Sequence, residues 1–158
     1  MGKNILGFVF AALLAALAMP MLGGGAARAG GAEVPSGEFA TFASGIGRGY
    51  DISGRAHMVR RPSGSTKVIV HLEGLAPNTS YPSHVHLLPC GQSDAGGHFK
   101  QNPGGASSPP NEIWPGFTTN DAGIGNGNAT VVWTAGSTAV SVVVHAPGGT
   151  KIACADLS

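Results

Sequence analysis

The chain has 158 residues, and only 11% of them are charged, against roughly a quarter in an average soluble domain. So few charges exclude a polyelectrolyte tail, a coiled coil and a basic surface built for nucleic acid. Glycine (26) and proline (11) are abundant, which suits many short strands joined by tight turns and does not suit a helical bundle. One domain is the default for this length.

Residues 1–29 have the layout of a secretory signal peptide. Lys3 supplies a positive charge, Ile5–Leu17 is an uncharged apolar run, and Ala27-Arg28-Ala29 fits a small-x-small cleavage site. The alternative is an uncleaved membrane anchor, because the uncharged stretch continues beyond the apolar run and reaches the lower limit for spanning a bilayer. The proline and small residues before the cleavage site favour removal. We therefore expect one domain, residues 30–158, that is periplasmic or secreted and not inserted in the membrane.

Cleavage changes the charge of the protein. It removes Lys3 and Arg28, which leaves seven basic residues against eight acidic ones and a net charge of −1. A nearly neutral domain has no general affinity for nucleic acid or for an acidic membrane surface.

Both cysteines of the chain, Cys90 and Cys154, lie in the retained part. An even number of cysteines in an exported protein favours a disulfide. The alternative is a pair of free buried thiols, which is less common outside the cytosol.

The retained part predicts an all-β fold, a Greek-key β-barrel or sandwich of seven or eight antiparallel strands. Val68, Val70 and Leu72 fall on one face of their run, as in a half-buried strand, and a turn-forming segment before it indicates a hairpin. The predicted strands are Phe39–Gly47, Ile52–Arg60, Lys67–Leu75, His84–Leu88, Asn128–Trp133, Ala139–His145 and Lys151–Ala155.

Two segments between these runs lack strand patterns. Residues 30–38 are small and polar, which predicts a flexible arm. Asp94–Gly127 is mostly loop, rich in Gly, Pro, Ser and Asn. A loop of that length in a small domain is usually functional.

Four of the six histidines are placed where they could share a ligand. His84 and His86 lie on one face of a strand, with Cα atoms roughly 6.5–7 Å apart, and can reach one ion through different ring nitrogens. His98 opens the long loop and His145 ends an apolar strand. Several histidine nitrogens together suit copper or zinc. The His-x-His pair alone fits two solvated strand residues equally well, but the two further histidines favour a metal site.

Five short stretches occur in a recognisable order. They are Tyr81-Pro82-Ser83-His84-Val85-His86, Cys90, Gly97-His98-Phe99, Val143-Val144-His145 and Lys151-Ile152-Ala153-Cys154. In residue types, order and approximate spacing, the chain from Ile52 to Leu157 resembles the copper/zinc superoxide dismutases. The resemblance implies that His84, His86, His98 and His145 bind copper and that Cys90 and Cys154 form a disulfide. It also implies conversion of superoxide to oxygen and hydrogen peroxide by Cu(II)/Cu(I) cycling.

The sequence departs from the two-metal enzymes of that family in two places. Gln101–Gly123 contains no histidine, and its only acids are Glu112 and Asp121, so the histidine-rich zinc site is missing. Only five residues separate His145 from Lys151, so the long charged guiding loop is missing as well, and lysine stands where arginine is expected. These departures resemble the copper-only branch, which implies one copper ion, no zinc and a monomer.

Two charged residues are candidates for supporting roles. Glu112 lies near the place of a zinc-ligating histidine, and we predict that its carboxylate accepts the second N–H of His98. The alternative is a solvated loop carboxylate. Lys151 is predicted to attract the superoxide anion, as a fixed cation beside the metal would. The alternative for Lys151 is an ordinary solvated strand end.

The remaining candidates are weaker. His57 and His71 lie in regular strands and are interpreted as surface or core residues. Trp114, Phe117 and Trp133 are interpreted as packing residues and loop anchors. The alternative function is a copper-binding or copper-delivery protein outside the cytoplasm, with the same fold and without significant catalysis.

Overall fold

Nine strands and one short helix make up the part of the chain that the computed structural model describes, residues 1–2 and 30–158. The predicted signal peptide lies outside the described residues except for its first two. No helix within the described residues is both long and apolar enough to cross a membrane. The elements are β1 (Ser36–Thr41), α1 (Ala43–Ile46), β2 (Ser53–Arg61), β3 (Ser65–Glu73), β4 (Ser80–Tyr81), β5 (Ser83–His86), β6 (Phe117–Thr118), β7 (Gly125–Val131), β8 (Ser141–His145) and β9 (Lys151–Asp156).

Seven of the strands form one curled antiparallel sheet in the order β5-β8-β9-β1-β2-β3-β7. Strand β1 turns the corner, because Ser36–Glu38 pair with β2 whereas Phe39–Thr41 pair with β9. The two halves of the sheet can therefore face each other across the main core. The two remaining strands, β4 and β6, pair with each other. The predicted all-β barrel or sandwich is confirmed.

The alternation of β3 supplies one wall of the core. Val68, Val70 and Leu72 are at most 1% exposed, whereas Ile69 and His71 between them face outward. Strand β3 pairs with β2 on one side and with β7 on the other. Each buried aliphatic side chain contributes about 1.5–3 kcal/mol relative to exposure, so this face strongly favours one register.

The first strand differs from its prediction. It begins at Ser36, inside the predicted flexible arm, and ends at Thr41, where one helical turn replaces the rest of the predicted strand Phe39–Gly47. Gly37 explains the early start, since a side chain there would run into the backbone of Asp156 on β9. In the sequence, a glycine that is required because two strands approach closely cannot be distinguished from a glycine of a flexible arm.

Strand β7 also begins earlier than predicted, at Gly125 instead of Asn128, and ends at Val131. Gly125 and Gly127 are buried in this strand because a side chain at either position would collide with the ring of Phe117 or the carbonyl of Pro115. The predicted loop therefore ends in strand, and it also contains β6.

Two features connect β5 and the segment after it to the rest of the barrel. Strand β5, at one edge of the sheet, pairs with β8 in a register that sets His84 opposite Val143. The disulfide between Cys90 and Cys154 joins the segment after β5 to β9, with an S–S distance of 2.03 Å. The disulfide that the resemblance implied is therefore present.

Candidate metal centre

Four imidazoles converge at the end of β5 and β8. One ring nitrogen from each of His84, His86, His98 and His145 lies within 4.8 Å of the others. His84 and His86 come from β5 and His145 from the end of β8. His98 follows in the loop and returns to β5 by an isolated β-bridge with His86. The fold thus brings together the four histidines that the sequence singled out.

Hydrogen bonds fix the ring orientation of three of these histidines. Nδ1 of His86 donates to the carbonyl of Gly96 (3.2 Å), and Nδ1 of His145 donates to the carbonyl of Gly149 (2.9 Å). Nδ1 of His98 donates to Oε2 of Glu112 (2.7 Å). A proton held on Nδ1 leaves the lone pair on Nε2, which is the tautomer needed for binding a metal through Nε2.

His84 presents the opposite nitrogen. Its Nδ1 lies 3.2 Å from Nε2 of His145. That Nε2 carries a lone pair, because the ring proton of His145 is on Nδ1 and is donated to Gly149. Nε2 of His86 is buried and has no partner among the described residues. A cation at the centre would satisfy these nitrogens together. The nitrogens that could hold such an ion are therefore Nδ1 of His84 and Nε2 of the other three.

Burial keeps these rings neutral. It lowers the pKa of His84 to about 3, with smaller contributions from the charges of the neighbouring histidines. It also lowers the pKa of His86 to about 3, helped by His98 and by the ammonium of Lys151. The pKa of His145 is lowered by burial as well. Metal binding requires unprotonated imidazoles, so these three need not lose a proton near neutral pH.

The donor set fits copper. Four imidazole nitrogens without thiolate or carboxylate suit copper or zinc, and a nitrogen donor set that approaches a plane favours Cu(II). The two cysteines are unavailable as ligands because they form the disulfide. These residues could therefore hold a single metal ion through nitrogen atoms alone.

Glu112 lies directly behind His98. The side chain is 1% exposed, and Oε2 accepts hydrogen bonds from His98 Nδ1 (2.7 Å) and from Trp114 Nε1 (2.8 Å). The other oxygen, Oε1, is buried without a partner among the described residues. A solvated loop carboxylate would have neither this burial nor these donors.

Lys151 is held at the rim by backbone carbonyls. Its Nζ donates to Asp94 and Gly96, each at 2.6 Å, and the carbonyl of Gly96 also accepts the proton of His86 Nδ1. The carbonyls belong to a turn in which four consecutive residues, Ser93–Gly96, have φ between 49° and 64°. Such a conformation costs of order 1 kcal/mol or more at each non-glycine residue, so bonds from Lys151 help to hold it.

The site is open to solvent on the side of His98. A cavity of about 260 Å³ lies elsewhere, near Arg60, whereas one of about 230 Å³ borders the site and is lined by Leu87, His98, Lys100 and Pro103. The side chain of His98 is 30% exposed. Among the four histidines, His98 is therefore the one that a molecule in this cavity would meet.

From the sequence, Trp114 is interpreted as a packing residue or loop anchor and is not linked to the histidines. Its ring packs beside that of His84, with centroids 5.1 Å apart. Its position two residues after Glu112 could have indicated this, because alternate residues of an extended segment share a face. His71 instead bonds to Asn126 on the surface, and His57 lies on β2, outside the cluster.

Comparison with known proteins identifies the fold. No protein-family model matches the sequence, and no curated protein matches it. Among solved structures, a mutant of superoxide dismutase 5 from Candida albicans aligns with a TM-score of 0.54 and 19% identity, over 80% of this chain and 88% of that chain. The chain therefore has a superoxide dismutase fold. The resemblance to the copper/zinc superoxide dismutases is confirmed at this level, with the four histidines and the disulfide in place.

Proposed function

We propose that the protein is an exported, copper-dependent superoxide dismutase that converts superoxide to oxygen and hydrogen peroxide. The observation that carries the proposal is the convergence of four imidazole nitrogens within 4.8 Å in a superoxide dismutase fold. When bound, copper supplies the reversible one-electron exchange that the reaction requires.

The residues of the chain would bind and orient that ion. His84 binds through Nδ1, and His86 and His145 bind through Nε2, with the carbonyls of Gly96 and Gly149 holding the protons on their far nitrogens. Such partners behind a ligand fix its tautomer and ring direction. The open side next to His98 would admit superoxide.

One copper ion without zinc is part of the proposal. Nδ1 of His98 donates to Glu112, so this nitrogen would not be free to hold a second ion. Glu112 thus supplies the orientation of His98 that a second ion would otherwise provide. Metal analysis of the protein as purified, with copper and zinc counted per chain, tests this part.

Export and a monomeric state complete the proposal. The disulfide supports an oxidising compartment outside the cytoplasm. Signal cleavage after Ala29 would be tested by sequencing the N-terminus of the exported protein, and sedimentation would test the monomer.

The main experiment separates catalysis from copper storage or delivery. We expect the copper-loaded protein to accelerate superoxide decay after pulse radiolysis, and to keep doing so when a copper chelator competes. A delivery protein would surrender its copper to the chelator and leave the decay unchanged. The zinc-loaded protein is the control and should be inactive.

The first variant concerns the carboxylate behind His98. We expect Glu112→Gln to lower copper affinity or activity by about 10–100-fold while the fold is retained, since ligand-orienting partners typically have effects of this size. Glu73→Gln is the matched control, because Glu73 also faces a histidine, His71, but on the surface away from the site. Unchanged turnover and copper spectra in Glu112→Gln would refute the orienting role.

The second variant concerns the cation at the rim. We expect Lys151→Ala to lower kcat/KM by about tenfold at low ionic strength and to flatten its decrease with added salt, because a fixed charge raises the encounter rate of an anion. Lys151→Arg should retain the salt dependence. Lys67→Ala, a lysine of β3, is the control. A wild-type rate that is insensitive to salt would contradict the attraction of superoxide by Lys151.

A further inference from the structure

The indole of Trp114 contacts the metal centre by two routes. Its ring lies 5.1 Å from that of His84, and its Nε1 donates to the oxygen of Glu112 that also accepts the proton of His98. We infer that Trp114 is a positioning residue of the metal centre, which holds Glu112 and through it His98. The inference rests on the proposed copper site and extends it to a residue outside the ligand set.

The backbone explains why Trp114 and Glu112 work together. Between them, Ile113 is 1% exposed and its carbonyl accepts the N–H of Val85, the residue between the two ligands of β5, at 3.1 Å. With Ile113 directed into the core, its two neighbours turn to the other side, as alternate residues of an extended segment do. This segment thus runs beside β5 and aims both side chains at the histidines.

The carboxylate of Glu112 has few hydrogen-bond donors, so its orientation depends on the indole N–H of Trp114. Both of the donors that the described residues offer to this carboxylate, His98 and Trp114, bind Oε2, while Oε1 has no partner. A buried carboxylate depends strongly on each donor that it has. Loss of the indole N–H would leave His98 as the single donor and free the carboxylate to rotate.

The exposure of Trp114 is consistent with this role. The residue is 39% exposed, so it is not simply a core residue, and its ring lies beside that of His84 at an interplanar angle of 60°. Trp133 offers the contrast. Its indole N–H donates to a backbone carbonyl, that of Pro110, and its ring packs against Phe99 instead of a histidine ring.

The test replaces Trp114 by phenylalanine, which keeps a ring against His84 and removes the N–H. We expect Cu(II) affinity, measured by competition with a chelator, to fall by about tenfold, the lower end for partners behind a ligand. The Cu(II) electron paramagnetic resonance spectrum should change with it. Trp133→Phe is the control and should match wild type in both measurements. Equal affinity and spectra in the two variants would overturn the inference.

A double variant shows whether Trp114 acts through Glu112. In a Glu112→Gln background, Trp114→Phe should cause little further loss of copper affinity, because the shared carboxylate is already gone. Full additivity of the two losses would refute the route through Glu112, since independent sites add and coupled ones do not.

A measurement on the metal-free protein keeps this inference separate from the proposed function. Nitrogen NMR of the imidazoles should show His98 protonated at Nδ1 in wild type and in Trp133→Phe, and a mixture of tautomers in Trp114→Phe. An unchanged His98 signal would overturn the positioning role whether or not copper binds. Failure of the wild-type protein to bind copper would refute the proposed function and leave the NMR result to decide on Trp114.

Discussion

Replacing His86 by glutamine should abolish superoxide dismutation and weaken copper binding by more than the ~100-fold upper limit for partners behind a ligand. His86 is fully buried, and its Nε2 has no partner among the described residues. It also lies on the same strand as His84, so its loss removes one half of the pair that β5 presents. Glutamine approximates the volume of the ring but offers no imidazole lone pair.

The measurements are copper affinity by chelator competition and superoxide decay after pulse radiolysis. His71→Gln is the matched control, since His71 is an exposed histidine of β3 that bonds to Asn126 and lies outside the cluster. It should leave both quantities unchanged. If His86→Gln binds copper as tightly as wild type, the ion is held elsewhere and the proposed function loses its basis.

The ligands could be predicted because strand geometry is local. The spacing of His84 and His86 places both on one strand face from the sequence alone, since side chains alternate with a period of two. The choice of nitrogen is not visible in the spacing. Nδ1 of His86 donates to Gly96, which leaves Nε2 for the ion, whereas His84 presents Nδ1 toward Nε2 of His145. His98 and His145 were added to the pair from their positions at the start of the long loop and the end of a strand, and the resemblance then implied copper as the ligand.

The missed features share a physical cause. Gly37, Gly125 and Gly127 lie in strands because neighbouring backbone or a ring leaves no room for a side chain. A sequence shows that a residue is glycine but not whether the reason is a turn or a close approach. The partners of Trp114 could not be predicted for a related reason, because they depend on the path of the long loop beside β5.

Lys151 makes contacts that its predicted role did not include. The sequence predicts a cation that attracts superoxide, and the structure shows its Nζ bonded to the carbonyls of Asp94 and Gly96. Those carbonyls belong to the left-handed turn that also receives the proton of His86. The turn follows Cys90, so the disulfide, Lys151 and the orientation of His86 are connected through one short segment.

The disulfide is also expected to stabilise the fold as a whole. We expect the double variant Cys90→Ala with Cys154→Ala to lower the free energy of unfolding by about 4 kcal/mol, because the bond closes a loop with a sequence separation of 64. Alanine suits Cys154, which is 2% exposed among Ala95 and Val143. Denaturant unfolding of the metal-free protein measures the loss.

Loss of the disulfide should also affect the proposed copper site. The segment from Cys90 carries the carbonyl of Gly96, so its release should weaken copper binding in the double variant. Reduced wild-type protein is the internal control and should unfold at the same denaturant concentration as the double variant, which a reductant should not affect further. If the double variant unfolds like oxidised wild type, Lys151 and the buried Ala95 alone hold the turn, and the disulfide does not stabilise the site.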